Sequence, residues 1–215
     1  MAATRRAVLG ALLDRHGRTY ADEAGIRLTD KPSPLYRLLV LATLLSARIT
    51  ADIAVAAARE LSTAGYRTPR AMRDATWQQR VDALGRGHYR RYDERTATML
   101  GDGAQLLLDE WRGDLRRLRD DADGDVRTLR ELLIRFPGIG PTGAAIFLRE
   151  VQATWPEVAP FCDERMAKGA SALGLPSSAT GLAGLVGPDE LPRLAAALVR
   201  VALHGDAAQE VRAAA

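Results

Sequence analysis

The sequence is short of cysteine and lysine, and each shortage excludes a kind of chemistry. Cys162 is the one cysteine in a chain of 215 residues, so no internal disulfide can form. One cysteine cannot ligate an iron–sulfur cluster either, because such a cluster needs several thiolates. The only lysines are Lys31 and Lys168, which leaves few amines that could form a Schiff base.

A long apolar run is also missing from the start of the chain. The first twenty residues pair a basic start with a short apolar segment, but Asp14, Arg15 and His16 interrupt it below the length of a signal peptide or membrane helix. We therefore expect a soluble, cytoplasmic protein with no membrane partner. A hydrophobic content of 47% can form a core, and a pI near 9.3 permits a polyanionic partner without requiring one.

Alternating β-branched patterns are absent, and apolar residues recur at helical spacing almost throughout the chain. This pattern predicts an all-α protein. Pro34 should open a helix that is interrupted at Ser46, and a second helix should run from residue 52 to residue 64. Further helix starts are predicted at the capping residues Thr68, Thr76 and Asp125.

The most informative segment contains Phe-Pro-Gly-Ile-Gly and predicts a helix-hairpin-helix motif over residues 128–150. Its two prolines suit the end of one helix and the first turn of the next, while Gly138 and Gly140 permit positive φ and close backbone approach. Several backbone N–H groups would then point to one spot beside a helix N-terminus, which suits a DNA phosphate. The alternative is an ordinary tight turn between two helices.

Asp163 follows the hairpin after an apolar helix and a loop that contains prolines. Such a loop can deliver one fixed carboxylate to the start of a helix. An ionised carboxylate beside a deoxyribose would stabilise the positive charge that develops when an N-glycosidic bond breaks, or would orient water onto the sugar. The alternative is an ordinary helix N-cap, and one residue can fill both roles.

Together these segments resemble the endonuclease III branch of the helix-hairpin-helix (HhH-GPD) DNA glycosylase superfamily. The resemblance spans residues 34–175 and includes LLSARIT at 44–50 and GHY at 87–89, besides the hairpin and Asp163. It implies a two-lobed fold, in which a six-helix barrel over residues 35–145 faces a second helical lobe formed by residues 1–34 and 146–215. Duplex DNA and an extruded base would lie in the cleft between the lobes.

The resemblance also implies roles for individual residues. Asp163 would be catalytic, and His88, assisted by Arg48, would fill the space that an extruded base leaves. Arg165 and Lys168 would contact phosphates, together with the arginines around His88. The remaining predicted DNA contacts are the hairpin residues Gly138, Ile139, Gly140, Thr142 and Gly143.

Departures from the family pattern change the expected chemistry. Bifunctional members carry a lysine just after the hairpin that forms a Schiff base with the sugar, and Thr142 stands at that position, so no lyase activity is expected. The family's cysteine cluster is missing, so no iron–sulfur cofactor and no other metal site is expected, although a monovalent cation at the hairpin carbonyls is compatible with the resemblance. Glu164 and Arg165 also differ from the residues that usually follow the aspartate.

Two functions of different classes remain open. One is a monomeric, monofunctional DNA glycosylase that hydrolyses the N-glycosidic bond of a damaged or mispaired base in duplex DNA. The other is a non-catalytic protein that binds damaged or distorted DNA, which Thr142 and the altered surroundings of Asp163 motivate. A helical protein unrelated to DNA, whose turn imitates the hairpin, is a third alternative.

Overall fold

Helices make up all regular structure in residues 4–215, the part of the chain that the computed structural model describes. This confirms the all-α prediction. The larger of two units consists of Ala21–Phe147, and the smaller consists of the described residues up to Tyr20 together with Leu148–Ala215. For comparison, the family resemblance implied a barrel that begins at residue 35 and ends at residue 145. None of the helices in residues 4–215 combines the length and apolarity needed to cross a membrane.

The larger unit is built around α3, which is buried almost all round. The unit contains most of α2 (Tyr20–Glu23), α3 (Pro32–Leu45), α4 (Ala51–Thr63), α5 (Pro69–Asp74), α6 (Trp77–Arg86), α7 (Asp93–Trp111), α8 (Leu115–Asp121), α9 (Val126–Ile134) and the start of α10 (Pro141–Val151). Nearly every residue of α3 between Leu35 and Leu44 is buried, as expected for a helix that is apolar on all faces. Helix α4 packs on α3 and on α6, while α5 and α6 both pack on α7.

Side-chain caps set several helix starts. Thr68, Thr76 and Asp125 each accept a hydrogen bond from a backbone N–H of the following helix, which confirms the three predicted starts. Helix α4 agrees with its predicted bounds within one residue at both ends. Helix α3 begins at Pro32 and not at the predicted Pro34, and it ends where the interruption was expected.

Two features of the larger unit were not predicted. Helix α8 is short and mostly charged, and it is held in place by the buried side chains of Leu115 and Leu118. Arg80 is only 9% exposed, and its guanidinium donates hydrogen bonds to three backbone carbonyls. These acceptors are the carbonyls of Ala97, Met72 and Ala75, at 2.8, 3.0 and 2.6 Å. Arg80 therefore ties the end of α5 to α7.

The smaller unit is built around α13. It contains α1 (Arg5–His16), the end of α10, α11 (Glu164–Ala172), α12 (Ala179–Ala183), α13 (Leu191–Leu203) and α14 (Ala207–Ala213). Helix α13 packs on α1 and α11, and its Leu194 and Leu198 are fully buried in this core. A Cβ atom at Gly169 would collide with the carbonyl oxygen of Leu198, so the close packing of α11 on α13 requires glycine there.

Candidate nucleic-acid interface

The turn between α9 and α10 contains the predicted hairpin and is held from inside by two apolar side chains. Phe136 is 3% exposed and stacks on Trp111 with 5.7 Å between the ring centroids. Ile139 is also buried. Gly138 has a φ of 86°, in the left-handed region that favours glycine. Gly140 is not among the described glycines with positive φ, so this backbone requirement applies to Gly138 alone.

The backbone N–H groups of the turn differ in what they can bind. The N–H of Ile139 donates to the carbonyl three residues earlier at 2.9 Å and so closes the turn. The first hydrogen bond inside α10 runs from the N–H of Ala144 to the carbonyl of Gly140 at 3.0 Å. The N–H groups of Thr142 and Gly143 precede it and have no helical acceptor one turn earlier. A helix start of this kind favours an anion.

The three glycines around the hairpin serve different purposes. A Cβ atom at Gly138 would lie 3.0 Å from Cγ2 of Thr43, and one at Gly143 would collide with Oγ of Ser46. Both glycines therefore allow the hairpin to pack closely on α3. A Cβ atom at Gly140 would meet no other atom within 4 Å. The space beside Gly140 is therefore open to a ligand.

A pocket of about 250 Å³ lies in the larger unit where three of the sequence motifs meet. The segment after α3 contributes Arg48, the turn after α6 contributes Tyr89, and the hairpin contributes Gly138. The rest of the lining comes from the end of α3 and from the region of α7: Thr43, Ser46, Ala47, Tyr92, Arg95, Thr96 and Met99. The fold thus brings together segments that are far apart in the sequence.

The polar groups of this pocket offer both donors and acceptors. The hydroxyls of Ser46 and Thr43 donate to carbonyls one turn earlier in α3, at 2.6 and 2.9 Å, so toward a ligand their oxygens can only accept. Arg48 and Arg95 have no ion-pair partner within residues 4–215, and their guanidinium groups can donate. Burial raises the pKa of the Tyr89 phenol, which therefore stays neutral. Such a pocket suits an anionic ligand that also carries N–H groups, as a nucleotide does.

His88 lies in the turn that ends α6 and has a strained backbone, with a φ of 62°. The N–H groups of His88 and Tyr89 donate to carbonyls of α6 at 3.0 Å each, in a Schellman arrangement whose left-handed position is usually glycine. A Cβ atom at Gly87 would collide with the backbone of Ala57, so this turn packs tightly on α4. The side chain of His88 is exposed.

Asp163 lies in the smaller unit, where it is the N-cap of α11. Its Oδ1 accepts a hydrogen bond from the N–H of Met166 at 3.0 Å, which confirms the N-cap alternative for this residue. Its Oδ2 accepts a hydrogen bond from Nη1 of Arg149 at 2.8 Å. The carboxylate is therefore held at both oxygens, and its side chain is 18% exposed.

Arg149 is the residue near Asp163 that sequence reasoning missed. It lies in the last turn of α10 and is buried, and burial lowers the pKa of its guanidinium. The buried side chain of Gln152 donates to the Arg149 carbonyl at 3.1 Å and accepts from the N–H of Phe161 at 3.0 Å. The end of α10 is thus tied to the loop before Asp163. Arginine is common near helix C-termini, so no sequence signal distinguished Arg149 from surface arginines.

The other predicted site residues are exposed. Thr142 is the second residue of α10, and Arg165 and Lys168 lie on α11 in the smaller unit. Of the arginines near His88, Arg86 forms a surface ion pair with Glu60 at 3.2 Å. These residues do not line the pocket, to which only Arg48 and Arg95 contribute arginine side chains.

The residues present do not fit a metal cluster. Within residues 4–215, no three His, Cys, Asp or Glu side chains are grouped as metal ligands would be. An iron–sulfur cluster does not fit either, because Cys162 is the one cysteine. Burial also raises the pKa of the Cys162 thiol, which disfavours the thiolate that binds metals.

No protein-family model matches the sequence, and no curated protein matches it. Two similar solved structures are complexes of endonuclease III. One is a trapped covalent endonuclease III–DNA intermediate in an estranged-adenine complex. Its TM-score is 0.50 and its sequence identity is 16%, and the match covers 92% of this chain and 85% of that chain. The other, a non-covalent endonuclease III–DNA complex, has a TM-score of 0.50 and 17% identity over the same shares. At these identities the similarity shows the helical fold of endonuclease III alone.

Proposed function

We propose that this protein is a monofunctional DNA glycosylase, which hydrolyses the N-glycosidic bond of a damaged or mispaired base in duplex DNA and leaves the strand intact. The observation that carries the proposal is the pocket of the larger unit. Arg48, Tyr89 and Gly138 come from three separate motifs and line this one cavity. The endonuclease III fold supports the same conclusion, since both similar structures are complexes of that protein with DNA.

The hairpin would contact the DNA backbone. The N–H groups of Thr142 and Gly143 in the first turn of α10 can donate to phosphate oxygens, and the open space at Gly140 lets a phosphate approach the main chain. Contacts of this kind position a duplex without reading its sequence. Arg48 and Arg95 add unpaired positive charge beside the hairpin.

His88 would enter the duplex where a nucleotide has been displaced. The turn after α6 holds its side chain exposed at a cost in backbone strain, and strain of this kind is often found at functional positions. The adjacent pocket would receive the unpaired base, whose polar edge could bond to the hydroxyl acceptors of Thr43 and Ser46 and to the guanidinium donors.

Asp163 would orient the water that attacks C1′ of the sugar. In this step the C1′–O bond forms and the C1′–N bond breaks, the bonding electrons leave with the base, and a proton from the water ends on the base nitrogen. The ionised carboxylate would stabilise the positive charge that develops on the sugar. Thr142 has no amine that could form a Schiff base, so the product is an abasic site on an unbroken strand.

Release of bases from a panel of duplexes tests the proposal. Duplexes carrying uracil, a thymine–guanine mismatch, an oxidised pyrimidine, an alkylated purine or an abasic site are incubated with the protein and then heated in alkali, which breaks strands at abasic sites. We expect breaks at one class of damaged or mispaired base, and only after alkali. Breaks without alkali would contradict the absence of lyase activity.

Asp163→Asn tests the catalytic role, because asparagine keeps the helix cap and removes the charge. We expect no detectable base release from this variant. Asp114→Asn is the matched control, since Asp114 is also an N-cap and pairs with Arg116 at 2.7 Å. Its side chain is 17% exposed, against 18% for Asp163. Base release by Asp163→Asn at the wild-type rate would exclude the proposed role.

Gly140→Val tests the contact with the hairpin. Because a Cβ atom at Gly140 meets open space, this variant should fold normally and bind duplex DNA at least about tenfold more weakly, with a smaller dependence of affinity on salt. Gly187→Val is the control, since Gly187 also faces open space but lies far from the motif in the sequence. Fluorescence anisotropy at several salt concentrations measures both variants. Equal affinities would contradict the hairpin contact.

A second candidate function, non-catalytic binding of damaged or distorted DNA, is favoured by the contacts of Asp163. Both carboxylate oxygens already accept hydrogen bonds from the protein, at 3.0 and 2.8 Å, so only their remaining lone pairs can bind a water. Preferential binding of a lesion-bearing duplex without release of any base would support this candidate against the first.

A further inference from the structure

The ion pair between Arg149 and Asp163 is an unusual feature of the smaller unit. Arginine is rarely buried without a partner, and Arg149 is only 5% exposed. Its guanidinium lies 2.8 Å from the carboxylate of Asp163, where it compensates a charge that would be costly to bury alone. The pair joins α10, the second helix of the hairpin motif, to the start of α11.

The contacts of this pair restrict the carboxylate of Asp163 in both position and direction. One oxygen accepts from the N–H of Met166 and the other from Arg149. Because the two bonds reach two different oxygens from two different helices, rotation of the carboxylate would break at least one of them. A helix cap alone would restrain only one oxygen.

Charged groups of both signs lie around Arg149. Glu150 is 5% exposed, and its carboxylate accepts from the N–H of Tyr20 at 3.1 Å. Asp163, Glu150 and Arg165 all interact electrostatically with Arg149. Of these three groups, it is Asp163 that forms an ion pair with Arg149, at 2.8 Å. A positive charge that develops on a sugar beside Asp163 would be stabilised by this carboxylate.

We propose that Arg149 is the positioning residue of Asp163: it holds the catalytic carboxylate in one orientation. This inference rests on the proposed glycosylase function. Loss of the guanidinium should let the carboxylate move, and a displacement of about 1 Å can slow a reaction about 100-fold. DNA affinity should change little, because the side chain of Arg149 is buried.

The test compares Arg149→Met, Arg149→Lys and the control Arg193→Met in the full chain. Arg193 lies in the same unit but forms only an exposed ion pair, with Glu190 at 3.4 Å, besides a hydrogen bond to a backbone carbonyl. Single-turnover base release and duplex affinity are measured for each variant. We expect Arg149→Met to release base about 100-fold more slowly with an affinity within about threefold of wild type. Arg149→Lys should recover part of the rate, and Arg193→Met should match wild type.

Chemical rescue separates positioning from folding. Millimolar guanidinium should increase base release by Arg149→Ala and leave the wild-type rate unchanged, since the ion can occupy the space of the lost side chain. Arg149→Met should also lower the melting temperature less in the Asp163→Asn variant than in the wild type, because the ion pair is already lost in that variant. This comparison measures the pairing of Arg149 with Asp163 and needs no measurement of activity.

Each result decides a different claim. Base release by Arg149→Met at the wild-type rate would overturn the positioning role. The role would also be overturned if neither lysine nor guanidinium restores the rate and if Arg149→Met lowers the melting temperature equally in the wild type and in Asp163→Asn. If the wild-type protein releases no base from any lesion while the melting temperatures still show coupling, the proposed function fails, and the pair is structural only.

Discussion

Replacing His88 by glycine should make the protein more stable. The backbone of His88 has a φ of 62°, and its two flanking hydrogen bonds belong to the main chain and do not depend on the side chain. Because the side chain is exposed, its removal costs little packing. Glycine is the residue that usually occupies this position of a Schellman turn.

The magnitude follows from two opposing terms. The left-handed conformation costs an ordinary residue about 1–2 kcal/mol, which glycine avoids. Glycine loses more conformational entropy on folding, which costs about 0.5–1 kcal/mol. The middle values of the two ranges give a net gain of about 0.75 kcal/mol in the free energy of unfolding. For a chain of this length, such a gain raises the melting temperature by roughly 1–4 °C, which calorimetry can measure.

The same substitution should impair the proposed function. If His88 fills the space left by a displaced nucleotide, its loss removes stabilisation from the reactive complex. A loss of about 1.4 kcal/mol slows base release about tenfold. A variant that is more stable and slower would indicate that the strained turn serves function, whereas a more stable variant with the wild-type rate would exclude His88 as the wedge.

Arg112→Gly is the matched control. Arg112 is exposed, ends α7 in the same left-handed conformation with a φ of 54°, and is not among the predicted site residues. It should gain a similar amount of stability and keep the wild-type rate of base release. If either glycine variant is less stable than wild type, the strain argument itself is refuted.

Three further predictions concern stability. Arg80→Met should lower the free energy of unfolding by about 3 kcal/mol or more, measured by urea denaturation, because three carbonyls lose their donor. Tyr36→Phe should raise it by about 1 kcal/mol, since the buried Tyr36 hydroxyl has no hydrogen-bond partner within residues 4–215; a decrease would contradict this. Burial lowers the pKa of His16 from 6.5, so below about pH 6.5 the unfolded state binds the proton more tightly and stability is lost as the pH falls. His16→Gln should therefore lose less stability than wild type between about pH 7 and pH 5 in thermal melts. An equal loss of stability in the variant and the wild type would contradict the contribution of His16.

Much of the local structure could be predicted from the sequence. Thr68, Thr76 and Asp125 cap the helices that follow them, and the hairpin forms where its glycines and prolines predicted it. Helix α8 could not be predicted in this way, because its short charged sequence is stabilised mainly by the burial of two leucines. The effect of burial depends on the neighbouring helices, whose positions cannot be read from periodicity.

The sequence by itself determined the helical class, the starts of the helices capped by Thr68, Thr76 and Asp125, and the candidate segments, because capping bonds and turn conformations depend on residues within about one turn of each other. Only the tertiary structure decided that Arg48, Tyr89 and Gly138 line one pocket, and that Arg149 pairs with Asp163. These contacts depend on how helices pack. Packing assigns each side chain its neighbours, and an arginine at the surface has the same local sequence pattern as one that is buried beside a carboxylate.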